Sequence, residues 1–133
     1  MKIPKIPFSN GLFIVIEGPE GSGKTTQAQM LREVLSGREW DVRSYRSPGS
    51  TPFGEILRKL LLTDRRVLMS PTAELFIFLA DRATFVDQVL KPALLEGAMV
   101  VNDRFDLSTL AYQVGGRELP EAASLVANQL AKC

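Results

Sequence analysis

The chain has 133 residues, a length that suits one compact domain, and 45% of them are hydrophobic against 23% charged, an ordinary globular balance. Sixteen Lys and Arg nearly cancel fifteen Asp and Glu, so a net charge of +1 supplies neither a basic field for nucleic acid nor an acidic tail. Histidine is absent and Cys133 is the single cysteine, which excludes Ser-His-Asp and Cys-His catalysis, histidine metal sites and an intrachain disulfide framework.

The segment Met1–Pro7 is basic, broken by Pro4 and Pro7, and lacks a secretory apolar core. No apolar run approaches bilayer-spanning length, so the expectation is a cytoplasmic protein with no membrane partner. Leu12-Phe13-Ile14-Val15-Ile16 is a continuous apolar run ending at Glu17-Gly18, the pattern of a parallel strand buried on both faces. Helical spacing of Ala28, Leu31, Val34 and Leu35 predicts a helix from about Lys24 to Leu35, stopped by Gly37. Asp41 to Tyr45 alternates as a second strand, and Ser47-Pro48-Gly49-Ser50-Thr51-Pro52 is a rigid turn. Gly54 to Leu62 carries a short helical pattern. Ser70-Pro71 is an N-cap with proline at the first helical position, opening a helix expected to run to about Leu95 with a bend near Pro92. Met99-Val100-Val101 is a third strand closed by Asn102-Asp103, and helical patterns near Leu107–Val114 and Pro120–Lys132 finish the chain. Strands alternating with helices predict a single α/β domain over residues 1–133 with a mostly parallel sheet.

Gly18-Pro19-Glu20-Gly21-Ser22-Gly23-Lys24-Thr25 matches G-x-x-x-x-G-K-[ST], set between a predicted strand and a predicted helix as the chemistry requires. Glycines let the backbone curl so that N–H groups converge on phosphate oxygens at a helix N-terminus. The predicted phosphate cradle is Gly18, Glu20, Gly21, Ser22, Gly23, Lys24, Thr25 and Thr26, with Lys24 reaching the β- and γ-phosphates of ATP and the Thr25 hydroxyl suited to Mg²⁺. The downstream D-x-x-G and N-K-x-D of GTPases and the L-S-G-G-Q of transporters are absent.

Three further segments stand in order: Arg46-Ser47-Pro48-Gly49-Ser50-Thr51-Pro52-Phe53-Gly54-Glu55, Leu75-Phe76-Ile77-Phe78-Leu79-Ala80-Asp81-Arg82, and Asp103-Arg104-Phe105-Asp106-Leu107-Ser108-Thr109-Leu110-Ala111-Tyr112-Gln113. With the phosphate loop they resemble the bacterial thymidylate kinases, from about Leu12 to Arg117. The resemblance implies a P-loop nucleoside monophosphate kinase-like three-layer fold. Residues 1–133 would supply the N-terminal two-thirds of the family domain, with its C-terminal strands and lid missing. It implies transfer of the ATP γ-phosphoryl group to dTMP, giving dTDP, with Mg²⁺ accompanying ATP and a homodimer packed through the helix from Pro71.

Residue by residue, the resemblance assigns dTMP contacts to Glu20, Arg58, Phe78, Arg82, Arg104, Ser108, Thr109, Tyr112 and Gln113. Phe78 would stack on thymine while Arg82, four residues on and on the same helix face, bonds its exocyclic oxygen. Thr109 and Gln113 would meet the base edge, Ser108 lies beside them, and Tyr112 would crowd the ribose 2′ position. Arg58 would grip the acceptor phosphate, Arg104 the acceptor or transferring phosphate, and Glu20 would approach the 3′-hydroxyl. Lys24, Asp103 and Arg104 are the expected catalytic residues, with Thr25 and Asp103 at the metal. Ser47 and Ser50 depart from the glutamate and glycine of the family's R-E-P-G-G-T, and Gly21 stands where some members carry arginine. Two other readings remain open: a catalytically silent nucleotide-binding or dimerising remnant, and a kinase for another nucleoside monophosphate.

Overall fold

A computed structural model describes residues 11–37, 40–62 and 68–133; the Met1–Pro7 segment lies outside them. Among the described residues, β1 (Leu12–Ile16), β2 (Val42–Arg46) and β3 (Met99–Asp103) form one sheet in the order β1-β3-β2. Both pairings are parallel, and the register sets Ile16, Asp103 and Arg46 side by side at the carboxyl end. Each connection between neighbouring parallel strands must cross over the sheet, which is why helices intervene.

The all-apolar run of β1 predicts burial on both faces, yet all five of its residues are only half-buried. The strand order explains the difference. β3, not β1, is central, and Met99–Asn102 are the buried stretch. Pleating divides the sheet. Phe13, Val15, Tyr45 and Val100 pack with Phe85, Val86, Leu90, Ala93 and Phe105 on one face. Asp103, two residues on from Val101, points to the other face, where it meets Thr25 at the start of α1 (Lys24–Ser36). Phe85 and Val100 are fully excluded from solvent, and the Tyr45 and Phe85 rings meet edge-on at 5.5 Å.

The helix from Pro71 starts as expected: Ser70 accepts the Ala73 N–H, and α3 runs Pro71–Phe85. Its continuation widens ahead of Pro92, where a bend was expected. Val86–Leu90 form a wider π-helical turn before α4 (Lys91–Leu95). Proline has no N–H to offer the preceding turn and its ring crowds a carbonyl there, so a widened turn accommodates it. Between β2 and α3, α2 (Pro52–Leu62) is capped by Thr51, whose hydroxyl accepts the Gly54 N–H at 2.8 Å.

After β3 the chain forms α5 (Asp106–Leu110), a second π-helical segment Ala111–Gly116, and α6 (Glu121–Leu130). α6 buries Ser124 and Asn128 and is tied back by Lys132 to Asp106 at 2.7 Å. Among the described residues no helix is long and apolar enough to cross a membrane.

Candidate active site

The phosphate loop joins β1 to α1. Gly23 takes φ +83° at the N-cap of α1, a left-handed conformation that side chains resist. A Cβ at Gly18 would lie 2.9 Å from the Ser22 hydroxyl, so a side chain there would force Ser22 to shift. The Ser22 hydroxyl donates to the Pro19 carbonyl at 2.8 Å, and the buried Lys24 donates to the same oxygen at 2.6 Å. The lysine is thereby drawn across the loop to the Pro19 carbonyl.

Thr25 donates its hydroxyl proton to Asp103 Oδ2 at 2.6 Å, linking the first turn of α1 to the end of β3. The other carboxylate oxygen, Asp103 Oδ1, is buried and unpartnered. Next in sequence, Arg104 has φ +69°, strained for a residue with a Cβ. Its N–H donates to the Ile16 carbonyl at 3.0 Å, Nη1 donates to Ser108 at 2.8 Å, and its guanidinium lies 5.5 Å from the Tyr112 ring centre.

Beside the loop opens a cavity of about 550 Å³. All nine residues expected at a monophosphate acceptor, from Glu20 and Arg58 to Tyr112 and Gln113, line it. Arg58 donates to the Pro48 carbonyl at 2.9 Å, on the turn after β2. Phe78 is half-buried, while Arg82 is almost wholly buried. The Arg82 guanidinium donates to Phe105 O at 2.6 Å, to Thr109 Oγ1 at 2.5 Å and to Asn128 Oδ1, and it lies 5.2 Å from the Phe105 ring centre. Burial lowers its pKa from the ordinary value, opposed by the carboxylates of Asp106, Asp81 and Glu17; an arginine remains cationic throughout. Its Nε is buried without a partner. Gln113 is also fully buried, and its amide nitrogen donates to Glu74 at 2.9 Å. That bond fixes the amide orientation and leaves Oε1 buried and unpartnered.

Several residues that shape the site were not expected from sequence. Glu17 accepts the N–H of Phe105 at 2.8 Å and bonds Ser108 through both its backbone and hydroxyl. Asp81 accepts the Gly49 N–H at 2.9 Å, holding the turn after β2 against α3. Burial raises its pKa from 3.8 to about 6, against the pull of that N–H and of Arg82. Glu74 joins Gln113 to Arg117, and Asn128 receives Arg82 from 46 residues away. Glu17 and Asp81 had a signal, being acids at the edge of apolar runs. Asn128 had none, since nothing local marks its helix as the partner of α3.

Ser47 sits where the resemblance expects glutamate. Its hydroxyl accepts from the buried Asn102 amide at 3.0 Å, and its N–H donates to Asp103 O at 3.0 Å. Ser50 has φ +69°, the conformation for which a glycine would be suited. The serine hydroxyl closes a ring with Arg46, accepting its N–H at 2.9 Å and donating to its carbonyl at 3.0 Å.

A glycine loop between a parallel strand and a helix, with a carboxylate at the end of the adjoining strand, defines the P-loop α/β class of nucleotide-binding proteins. Residues 16–131 match the profile of the thymidylate kinase family, and the chain belongs to that family. It is 44% identical over 118 residues to the thymidylate kinase of Roseiflexus sp. (strain RS-1), covering 87% of this chain and 52% of that protein. Against the thymidylate kinase of Pseudomonas fluorescens (strain SBW25) it is 47% identical over 109 residues, covering 82% and 52%. The chain thus spans about half the length of these curated relatives. The crystal structure of thymidylate kinase from Ehrlichia chaffeensis superposes with a TM-score of 0.84 at 35% identity, covering 92% of this chain and 68% of that one.

Proposed function

We propose that this chain binds dTMP in the cavity beside the phosphate loop and serves in phosphoryl transfer from ATP to dTMP, giving dTDP. The observation that carries the reading is the cavity that all nine expected acceptor residues line; two of them, Arg82 and Gln113, hold a buried donor Nε and a buried acceptor Oε1 without a partner. Thymine presents the complement, a ring carbonyl and an imide N–H. Cytosine presents the reverse at the matching positions, and a buried polar group left unpaired is expensive. Phe78 supplies a face for the base, Thr109 and Ser108 line its surroundings, and Tyr112 narrows the sugar end. Arg58 and Arg104 would hold the acceptor phosphate, with Glu20 toward the sugar hydroxyl.

On the donor side the loop from Gly18 to Thr26 would bind the ATP phosphates, with Lys24 countering their charge. The donor set also suits a hard cation: Asp103 has a buried oxygen without a partner, next to the Thr25 hydroxyl. Thr25 and Asp103 would hold Mg²⁺, which when bound supplies neutralisation of phosphate charge. No covalent intermediate is needed. Lys24 and Arg104 contribute positioning and positive charge along the line of transfer. The same reading extends to a single domain over residues 1–133, a cytoplasmic setting and a homodimer in contact through α3, on which Phe76 is 59% exposed.

Titration of the chain with dTMP, dCMP and dGMP tests the pocket, with dTMP expected to bind tightest. Tighter binding of either competitor overturns the base assignment. Incubation with ATP, Mg²⁺ and dTMP tests the reaction, with dTDP expected above a Lys24→Ala control. Binding of dTMP with no product over that control would replace the kinase reading by a nucleotide-binding one.

A further inference from the structure

Glu17 is the residue between the last strand position of β1 and Gly18 of the phosphate loop. Its half-buried carboxylate is fully engaged. Oε1 accepts the backbone N–H groups of Phe105, at 2.8 Å, and Ser108, at 3.3 Å. Oε2 accepts the Ser108 hydroxyl. Phe105 offers α5 no side-chain cap of its own, so Glu17 satisfies N–H groups that the helix start leaves open.

The hydroxyl bond has a directional consequence. A serine hydroxyl has one proton and two lone pairs. Ser108 gives its proton to Glu17, which turns its lone pairs outward, and Arg104 Nη1 donates to that oxygen at 2.8 Å. Bonds from a neutral donor to a carboxylate are stronger than neutral pairs, so the order Arg104 to Ser108 to Glu17 is the favoured one. Such an anchor matters for Arg104, whose backbone is strained at φ +69° and whose guanidinium otherwise, among the described residues, meets the Tyr112 ring.

We infer that Glu17 is a positioning residue: through Ser108 it fixes the Arg104 guanidinium at the acceptor cavity, in register with the phosphate loop that begins one residue later. This rests on the proposed function, in which Arg104 meets the acceptor phosphate. It adds that the distance between donor loop and acceptor arginine is set by one side chain bridging them, not by the sheet alone.

The test compares dTMP with thymidine, which lacks the phosphate, by calorimetric titration of the full chain. Glu17→Gln retains a carbonyl oxygen for the two backbone N–H groups but presents an amide NH₂, a donor, to the Ser108 hydroxyl. Ser108→Ala removes the relay while leaving Glu17 able to cap α5. Each variant is expected to bind dTMP about tenfold more weakly, the effect of one charge-assisted hydrogen bond. Thymidine affinity should stay within about twofold of wild type for Glu17→Gln; for Ser108→Ala, since Ser108 also lines the cavity, the thymidine loss should be clearly smaller than the dTMP loss. The double variant is expected to be no weaker than the worse single one, because both act through one chain of bonds.

Equal weakening of dTMP and thymidine would mean that Glu17 serves folding only, and would overturn the inference. So would effects of the two substitutions that multiply, or an unchanged preference for dTMP. If Glu17→Gln fails to fold by circular dichroism, Ser108→Ala decides on the same readout. A folded wild-type chain that binds dTMP no better than thymidine would overturn the phosphate assignment of Arg104, and this inference with it.

Discussion

Replacing Asp81 by asparagine is expected to stabilise the protein at neutral pH and to flatten its stability profile on the acid side. Asp81 is 1% exposed, and its Oδ1 accepts the Gly49 N–H at 2.9 Å. Burial favours the neutral acid and lifts the pKa from 3.8 to about 6, although the Gly49 N–H, Arg82 and Arg58 all favour the carboxylate. A pKa raised on folding means that the native state binds the proton more tightly than the unfolded chain. The associated stability is therefore complete below about pH 4 and is lost as pH rises through about 6. A rise of that size corresponds to about 3 kcal/mol at neutrality.

Asparagine keeps a carbonyl for Gly49 and never ionises. The stability difference between variant and wild type should thus be near zero at about pH 4 and open to about 3 kcal/mol by about pH 7 to 8. Urea denaturation followed by circular dichroism across that range measures it, with equal m-values as the condition for comparison. A difference that is the same at every pH would refute the reasoning. A wild type that gains on the variant as pH rises would show that Arg82 and Arg58 outweigh desolvation.

Ser50→Gly should relieve about 1 kcal/mol of left-handed strain but lose the paired bonds to Arg46; about 1 kcal/mol each, these win, so denaturant titration should find the glycine variant less stable by about 1 kcal/mol. Phe85→Ala empties the centre of the core beneath β3, and thermal or urea unfolding should show a loss of about 3–5 kcal/mol. Thr25→Val keeps the shape of the side chain and removes a hard oxygen. Calorimetry should find ATP binding with Mg²⁺ weakened about tenfold and metal-free ATP binding almost unchanged; equal losses in both would reject Thr25 as a metal ligand.

The parts of the molecule legible in the sequence are those governed by local rules. A run of five apolar residues, a glycine loop and a capped helix each carry their pattern within a few positions, so β1, the phosphate loop and the start of α3 at Ser70 were foreseeable. Strand order is not local. The same apolar run reads alike in a central or an edge strand, and only the pairing with β3 decided that β1 is half-buried. The widened turn at Val86–Leu90 was visible only as a bend near Pro92, since hydrophobic spacing cannot separate a four-residue from a five-residue turn over so short a stretch.

For the site, the residues that the motifs single out do line one cavity. What motifs could not convey is how those residues hold one another. Arg46 reaches Glu55 at 3.0 Å, which together with the Ser50 N–H keeps the Glu55 carboxyl below its usual range. The bonds of Arg82 to Asn128 and of Asp81 to Gly49 likewise join segments far apart in the chain, with no local spacing to announce them.

The burial of Arg82 constrains how this protein can change. The Arg82 side chain that lines the cavity also knots α3 to the Phe105 carbonyl, to Thr109 and to α6. A substitution there aimed at a new nucleobase would strand three buried acceptors, two at α5 and one on α6, and loosen the terminal helix. On the proposed function, selectivity and folding would thus share a single side chain, and ligand preference would be retuned more freely at Phe78, which is only half-buried.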